Sequence, residues 1–189
     1  MNKKIKYLVM ISMLSALSAL LTLFRFSLPF LPPFYKLDFS ESVILIGGFY
    51  LGPLSTIIMQ LLKNVLKVLF FGSNSGFIGD FANFVMGVGF VLPAAIIYKK
   101  HQSFKGVIVS LIVGVVSLVI VGCLSNYYIM LPAFASEEAI IGLGKALNPN
   151  IDSMWSFVLL LTAPFNLIKG ISSSIIACIL YKRSGVLFK

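Results

Sequence analysis

The sequence predicts an all-α integral membrane protein: six transmembrane helices in a compact bundle, with both termini in the cytoplasm. Three observations predict it. Of 189 residues, 59% are hydrophobic and only 11% are charged, whereas a soluble domain carries about 25% charged residues. Apolar runs of roughly bilayer-crossing length, about 20 residues, recur between short polar interruptions. The basic residues Lys3, Lys4, Lys6, Lys99, Lys100, Lys105, Lys182, Arg183 and Lys189 gather at the two ends and in one short loop. Acids are absent from those clusters, and basic clusters beside spans mark the cytoplasmic side. The net charge of +9 therefore reads as topology, and no nucleic-acid partner is expected.

Span one covers residues 5–26. Its leading lysines resemble a signal peptide, but the apolar run reaches Phe24, which is span length and not a short h-region. Pro29, Pro32 and Pro33 forbid a continued helix and make 27–38 a loop. Span two, residues 39–51, is short for a bilayer; it is expected to tilt or to enter partway. Gly52-Pro53 ends it. Span three is 54–71, followed by the turn Gly72-Ser73-Asn74-Ser75-Gly76. Span four is 77–98, with the basic loop 99–105 after it. Span five is 106–130, ended by Pro132. A polar segment at 133–152 leads to span six, 154–181. The whole chain, 1–189, reads as one membrane domain. Loops 27–38, 72–76 and 131–153 then face outside.

Polar residues inside the spans carry the functional signal. Asn-x-x-Lys occurs twice, as Asn64…Lys67 and Asn166…Lys169. A lysine at the centre of a membrane helix costs roughly 2.5–3.5 kcal/mol on insertion scales. At 100° per residue, Gln60, Lys63, Asn64 and Lys67 share an arc of about 100°, and Thr162, Asn166, Lys169 and Ser173 one of about 60°. Asp80, Asn83 and Gly87 share another of about 60°. Such stripes belong inside the bundle. They either cross-link helices or line a polar pocket, and two lysines with few acids nearby favour the pocket. Asn supplies donor and acceptor, Lys only donors, a set suited to an imide or pyrimidine-dione edge. Glu41, Asp80 and Asn83, nearer the outer face, suit hydroxyls. Phe34, Tyr35, Phe39, Tyr127, Tyr128 and Phe165 are candidate walls; Trp155 and the tyrosine pair equally suit interface anchoring. A flat aromatic ligand with a polyol tail matches this set.

Ser12, Ser15, Ala16 and Ala19 repeat a small-xxx-small pattern in span one, which lets another helix approach closely. An intramolecular seam and a docking face for a partner explain it equally well. Enzyme signatures are absent. Gly142-Leu143-Gly144-Lys145-Ala146 lacks the glycine and the hydroxyl residue of a phosphate loop, because Ala139 and Ala146 stand there. Cys123 and Cys178 lack metal spacing, and lone His101 sits in a basic loop. No catalytic residue, metal or cofactor is expected.

Asp38-Phe39-Ser40, Ile46-Gly47-Gly48-Phe49, Gly52-Pro53, Lys63-Asn64, Ile78-Gly79-Asp80-Phe81-Ala82-Asn83 and Pro164-Phe165-Asn166-Leu167-Ile168-Lys169 together resemble the riboflavin-specific S component of energy-coupling factor (ECF) transporters. The likeness runs from span one to the basic tail. It implies a vitamin-binding subunit in a bacterial cell membrane, with a pocket near the extracellular side lidded by the loop after the first helix. Riboflavin, and FMN as a further candidate, would be the ligand. The resemblance also implies partners: a transmembrane scaffold and two cytoplasmic ATPases. It assigns Asn166 and Lys169 to the isoalloxazine edge, with Asn126 beside them. Glu41, Asn64, Lys67, Asp80, Asn83 and Tyr128 complete the candidate set. The family's Ala-x-x-x-Ala docking pattern is replaced by Ser12-x-x-x-Ala16 and Ser15-x-x-x-Ala19. An S component for another vitamin, or a small ion-coupled transporter, is the alternative.

Overall fold

A computed structural model describes residues 2–73 and 76–184. Asn74 and Ser75 of the expected turn, and Lys189 of the basic tail, lie outside the described residues. Five helices are long and apolar enough to cross a membrane: α1 Lys3–Leu21, α3 Pro53–Phe71, α4 Ile78–Lys100, α5 Phe104–Phe134 and α7 Met154–Arg183. A sixth apolar helix, α2 Ser40–Leu51, is shorter. The chain is a multi-pass membrane protein. Residues 27–38 form the expected loop, and its ends pair as a small antiparallel ribbon, β1 Phe26–Ser27 with β2 Lys36–Leu37. The prolines break the helix, and the Ser27 hydroxyl closes the turn by donating to the Pro33 carbonyl at 3.1 Å.

The polar segment after α5 also holds more than a loop. Helix α6, Glu137–Leu147, occupies it. Ser136 caps its N-terminus, Glu137 and Glu138 lie in the first turn, and Lys145 lies in the last, all matching the helix dipole. Its inward face is only Ile140 and Gly144. Ile140, Leu143, Gly144 and Leu147 recur at helical spacing, a signal that the reading of the segment as polar passes over. Gly144 is needed there, because a methyl group would lie 2.7 Å from the Ile151 side chain.

Helix α2 explains how a short span is tolerated. At 1.5 Å per residue its 12 residues extend about 18 Å, well under the ~30 Å hydrocarbon thickness. Every residue from Ser40 to Phe49 is buried, packed among α1, α3, α4 and α7. Protein and not lipid therefore surrounds it, and at its N-terminal end the Ser40 N–H donates to Asp38 Oδ1 at 2.9 Å. Gly47 and Gly48 permit the close approach: added methyl groups would lie 2.6 Å from Met59 and 2.3 Å from Thr56.

The core has two parts. One, around Ile44, Phe90, Ala94 and Val107, joins α2, α4 and α5. The other contains Leu31, Tyr35, Ile140, Ile151, Phe157 and Phe165, and ties the α1–α2 loop and α6 to the outer half of α7. On α1, the small-residue pattern divides. Ser15 and Ala19 are buried, and Ser15 donates back to the Ile11 carbonyl at 2.7 Å. Ser12 and Ala16 are exposed. Of the two readings that the sequence leaves open, the internal seam takes Ser15 and Ala19, which turn towards the α2 and α3 side, while Ser12 and Ala16 face outward.

Candidate functional site

The α1–α2 loop, α3, α4, α5 and α7 enclose a cavity of about 260 Å³. Lys67 comes from α3; Gly79, Asp80, Asn83 and Met86 come from α4. Helix α5 supplies Asn126, Met130 and Phe134, and α7 supplies Phe165, Asn166 and Lys169. The connection after α1 adds Thr22, Arg25, Phe34, Tyr35, Lys36 and Asp38.

Backbone irregularity aims two of these helices. A π turn at Asn126–Met130 interrupts α5, and another at Val158–Thr162 interrupts α7. The two turns touch. Single π turns recur at functional sites, since the wider turn redirects side chains and frees carbonyls. Asn126 and Asn166 each donate to the carbonyl one turn back: Asn126 Nδ2 to Gly122 O at 2.8 Å, Asn166 Nδ2 to Thr162 O at 3.1 Å. Asn64 does the same on α3, to Gln60 O at 2.8 Å. These bonds fix amides that would otherwise be costly to bury.

Each buried lysine ends on an acid. Lys67 Nζ lies 2.6 Å from Asp80 Oδ1, and Lys169 Nζ lies 3.5 Å from Asp38 Oδ2. Lys63, whose side chain is 1% exposed, lies 2.6 Å from Glu41 Oε1. The shortage of acid partners read from the sequence is therefore resolved by folding. Gln60 adds a 3.1 Å bond to the same Glu41 oxygen. Gly87 makes room for it, because a methyl group there would lie 1.6 Å from Gln60 Nε2. Burial by itself would raise the Asp38 carboxyl. The Lys169 and Lys63 ammoniums and the Ser40 hydrogen bonds outweigh it and hold Asp38 at about 2.

Tyr35 links loop to helices. Its ring stacks on Phe165 with centroids 4.8 Å apart and planes 16° apart. Its hydroxyl donates to Asn126 Oδ1 at 3.2 Å and shares a hydrogen bond with Thr162. Burial pushes its phenol well above the usual range, so it stays protonated and able to donate. The loop is thereby pinned over the cavity at two points, Tyr35 to the π turns and Asp38 to Lys169.

Residues 6–181 match the family described as ECF transporter, substrate-specific component. The chain belongs to that family. It is 40% identical over 178 residues, 94% of this chain and 89% of the other, to riboflavin transporter RibU of Staphylococcus aureus. It is 35% identical over 179 residues, 94% of this chain and 91% of the other, to riboflavin transporter FmnP of Bacillus subtilis. A solved structure of the S component of a bacterial ECF transporter superposes with a TM-score of 0.79 at 38% identity, covering 99% of both chains. The family and these relatives are transporter subunits, not enzymes.

Within this S component, the cavity gathers Lys67, Asp80, Asn83, Asn126, Asn166 and Lys169 from the sequence-derived set. Three others lie elsewhere. Glu41 is sequestered by Lys63 and Gln60. Asn64 stands behind Asn83, accepting its amide at 3.3 Å. Tyr128 is 68% exposed and packs edge-on against Tyr127, which stacks on Trp155. Two residues after Asn126, Tyr128 falls about 200° around the helix at 100° per residue, so it points away from the cavity that Asn126 lines. Sequence reasoning passed over Asp38, Tyr35 as a hydrogen-bonding group, Arg25 and Lys36. The need for an acid opposite Lys169 was the available signal for Asp38.

Proposed function

We propose that this protein is the riboflavin-binding subunit of an ECF-type importer, taking riboflavin from the extracellular side for uptake driven by a separate ATPase module. One observation carries the reading: Asn126, Asn166 and Lys169 converge on a cavity walled by the Tyr35 and Phe165 rings. A flavin offers a planar ring for such walls and a dione edge with alternating acceptors and a donor, which amides and an ammonium complement. The riboflavin relatives named above support the same ligand. Asp80 and Asn83, on the α4 side, suit the ribityl hydroxyls. Tyr35 holds Asn126 and Thr162 where the ligand's polar edge would sit, so binding exchanges those bonds for ligand bonds and moves the loop.

FMN is proposed as a second ligand. Arg25 and Lys36 line the cavity and make no ion pair among the described residues. Their charge suits a terminal phosphate. A transmembrane scaffold and two ATPases are the proposed partners, with the exposed Ser12 and Ala16 side of α1 meeting the scaffold.

The test is the absorption spectrum of the purified protein, together with quenching of its single tryptophan, Trp155, by added riboflavin and FMN. A bound flavin spectrum or saturable quenching is expected. Colourless protein with no quenching by either compound overturns the reading.

A further inference from the structure

We propose that a groove between α5 and α7, on the lipid-facing side, is a specific site for one anionic phospholipid of the cytoplasmic leaflet. The groove measures about 420 Å³ and is separate from the flavin cavity, sharing none of its lining residues. Leu111 and Val115 form a buried floor, while Ile112, Val116, Ile171 and Ile175 stand exposed along it. Gly170 lets the helices meet closely at the base, where a methyl group would lie 3.1 Å from Val115.

Length and charge identify the occupant. On α7 the lining runs from Leu167 to Cys178, about 16 Å at 1.5 Å per residue. That is about half the ~30 Å hydrocarbon thickness, the depth reached by one leaflet's acyl chain. The groove ends at Ile108 and Cys178. One helical turn beyond, Lys182 Nζ sits 4.7 Å from the centroid of the Phe104 ring. Lys105 is exposed beside it. Neither lysine makes an ion pair among the described residues. An acyl chain in the groove therefore delivers its headgroup phosphate to two cations. A neutral lipid satisfies the groove but not the lysines.

The experiment is native mass spectrometry of the detergent-purified protein with phosphatidylglycerol or phosphatidylcholine at equal concentration. One phosphatidylglycerol is expected to stay bound, about tenfold more than phosphatidylcholine, and glycerol 1-phosphate should not displace it. Lys182→Glu with Lys105→Glu should reduce phosphatidylglycerol to the phosphatidylcholine level. Ser174→Phe, which fills the groove, should lower retention of both. Unchanged flavin binding in these variants shows that they fold; Lys182→Ala with Lys105→Ala substitutes for a variant that does not. Equal retention of the two lipids overturns the proposal, as does loss with the lysine changes but not with Ser174→Phe. A dimer abolished by Ser174→Phe, or unselective lipid retention with uptake lost in that variant, would assign the groove to a second copy or a partner helix and overturn it too.

Discussion

Asp38 and Lys169, 131 positions apart, meet at 3.5 Å across the wall of the cavity. The contact joins the α1–α2 loop to α7 and neutralises an ammonium that α7 carries inside the bundle. Removing one partner of a buried ion pair leaves the other charge uncompensated, at about 3–5 kcal/mol. Asp38→Asn and Lys169→Ala should each weaken flavin binding by about tenfold or more. Asp38→Asn combined with Lys169→Met should recover thermal stability but not affinity. Titrations and melting curves of the three variants check this; wild-type affinity in Lys169→Ala would make the lysine a helix-packing group only.

Lys63 and Glu41 form the tighter pair but lie outside the cavity. Lys63→Met should lower stability by about 3–5 kcal/mol while changing riboflavin affinity several-fold less than Lys169→Ala does. Thermal unfolding in detergent, with and without ligand, separates the two. A larger affinity loss for Lys63→Met would place Glu41 in the binding machinery after all.

Gly122 faces Asn166 so closely that a methyl group would lie 2.3 Å from its amide nitrogen. Gly122→Ala should therefore cut flavin affinity about tenfold without altering any polar group. An unchanged dissociation constant would show that the Asn166 amide is not held for the ligand.

The divided face of α1 predicts different outcomes for neighbouring alanines. Ala16→Phe should leave binding intact and abolish ATP-driven uptake, because it projects outward. Ala19→Phe should destabilise the fold, because Ala19 is buried and overpacking costs about 1–3 kcal/mol. Uptake assays beside binding assays decide it; normal uptake in Ala16→Phe removes this face from docking.

Asp38 sets a pH window. Its carboxyl falls from the ordinary 3.8 to about 2 in the folded protein. A lowered folded value means that its stabilisation is complete above about pH 4 and is lost as pH falls towards 2. Flavin affinity should be flat from pH 5 to 8 as far as Asp38 is concerned. Below pH 4, melting temperature should fall less steeply in Asp38→Asn than in the parent. Equal slopes would remove Asp38 as the titrating group.

Much of this protein was written locally. Apolar runs located the five long spans, and the basic clusters oriented them, because both signals depend only on residue type along the chain. Helical spacing also placed Lys67, Asn166 and Lys169 on inward faces, since lipid cannot satisfy them. Tertiary structure decided what each lysine met. Asp38, Glu41 and Asp80 all stood in the sequence as acids, but only packing matched them to Lys169, Lys63 and Lys67. It also separated Ala16, which is exposed, from Ala19, which is buried. The sequence by itself thus determined which groups must be buried, because the bilayer penalises them residue by residue. Which of them share a cavity and which lock each other depended on helix contacts between positions as distant as Asp38 and Lys169, and no local pattern encodes those.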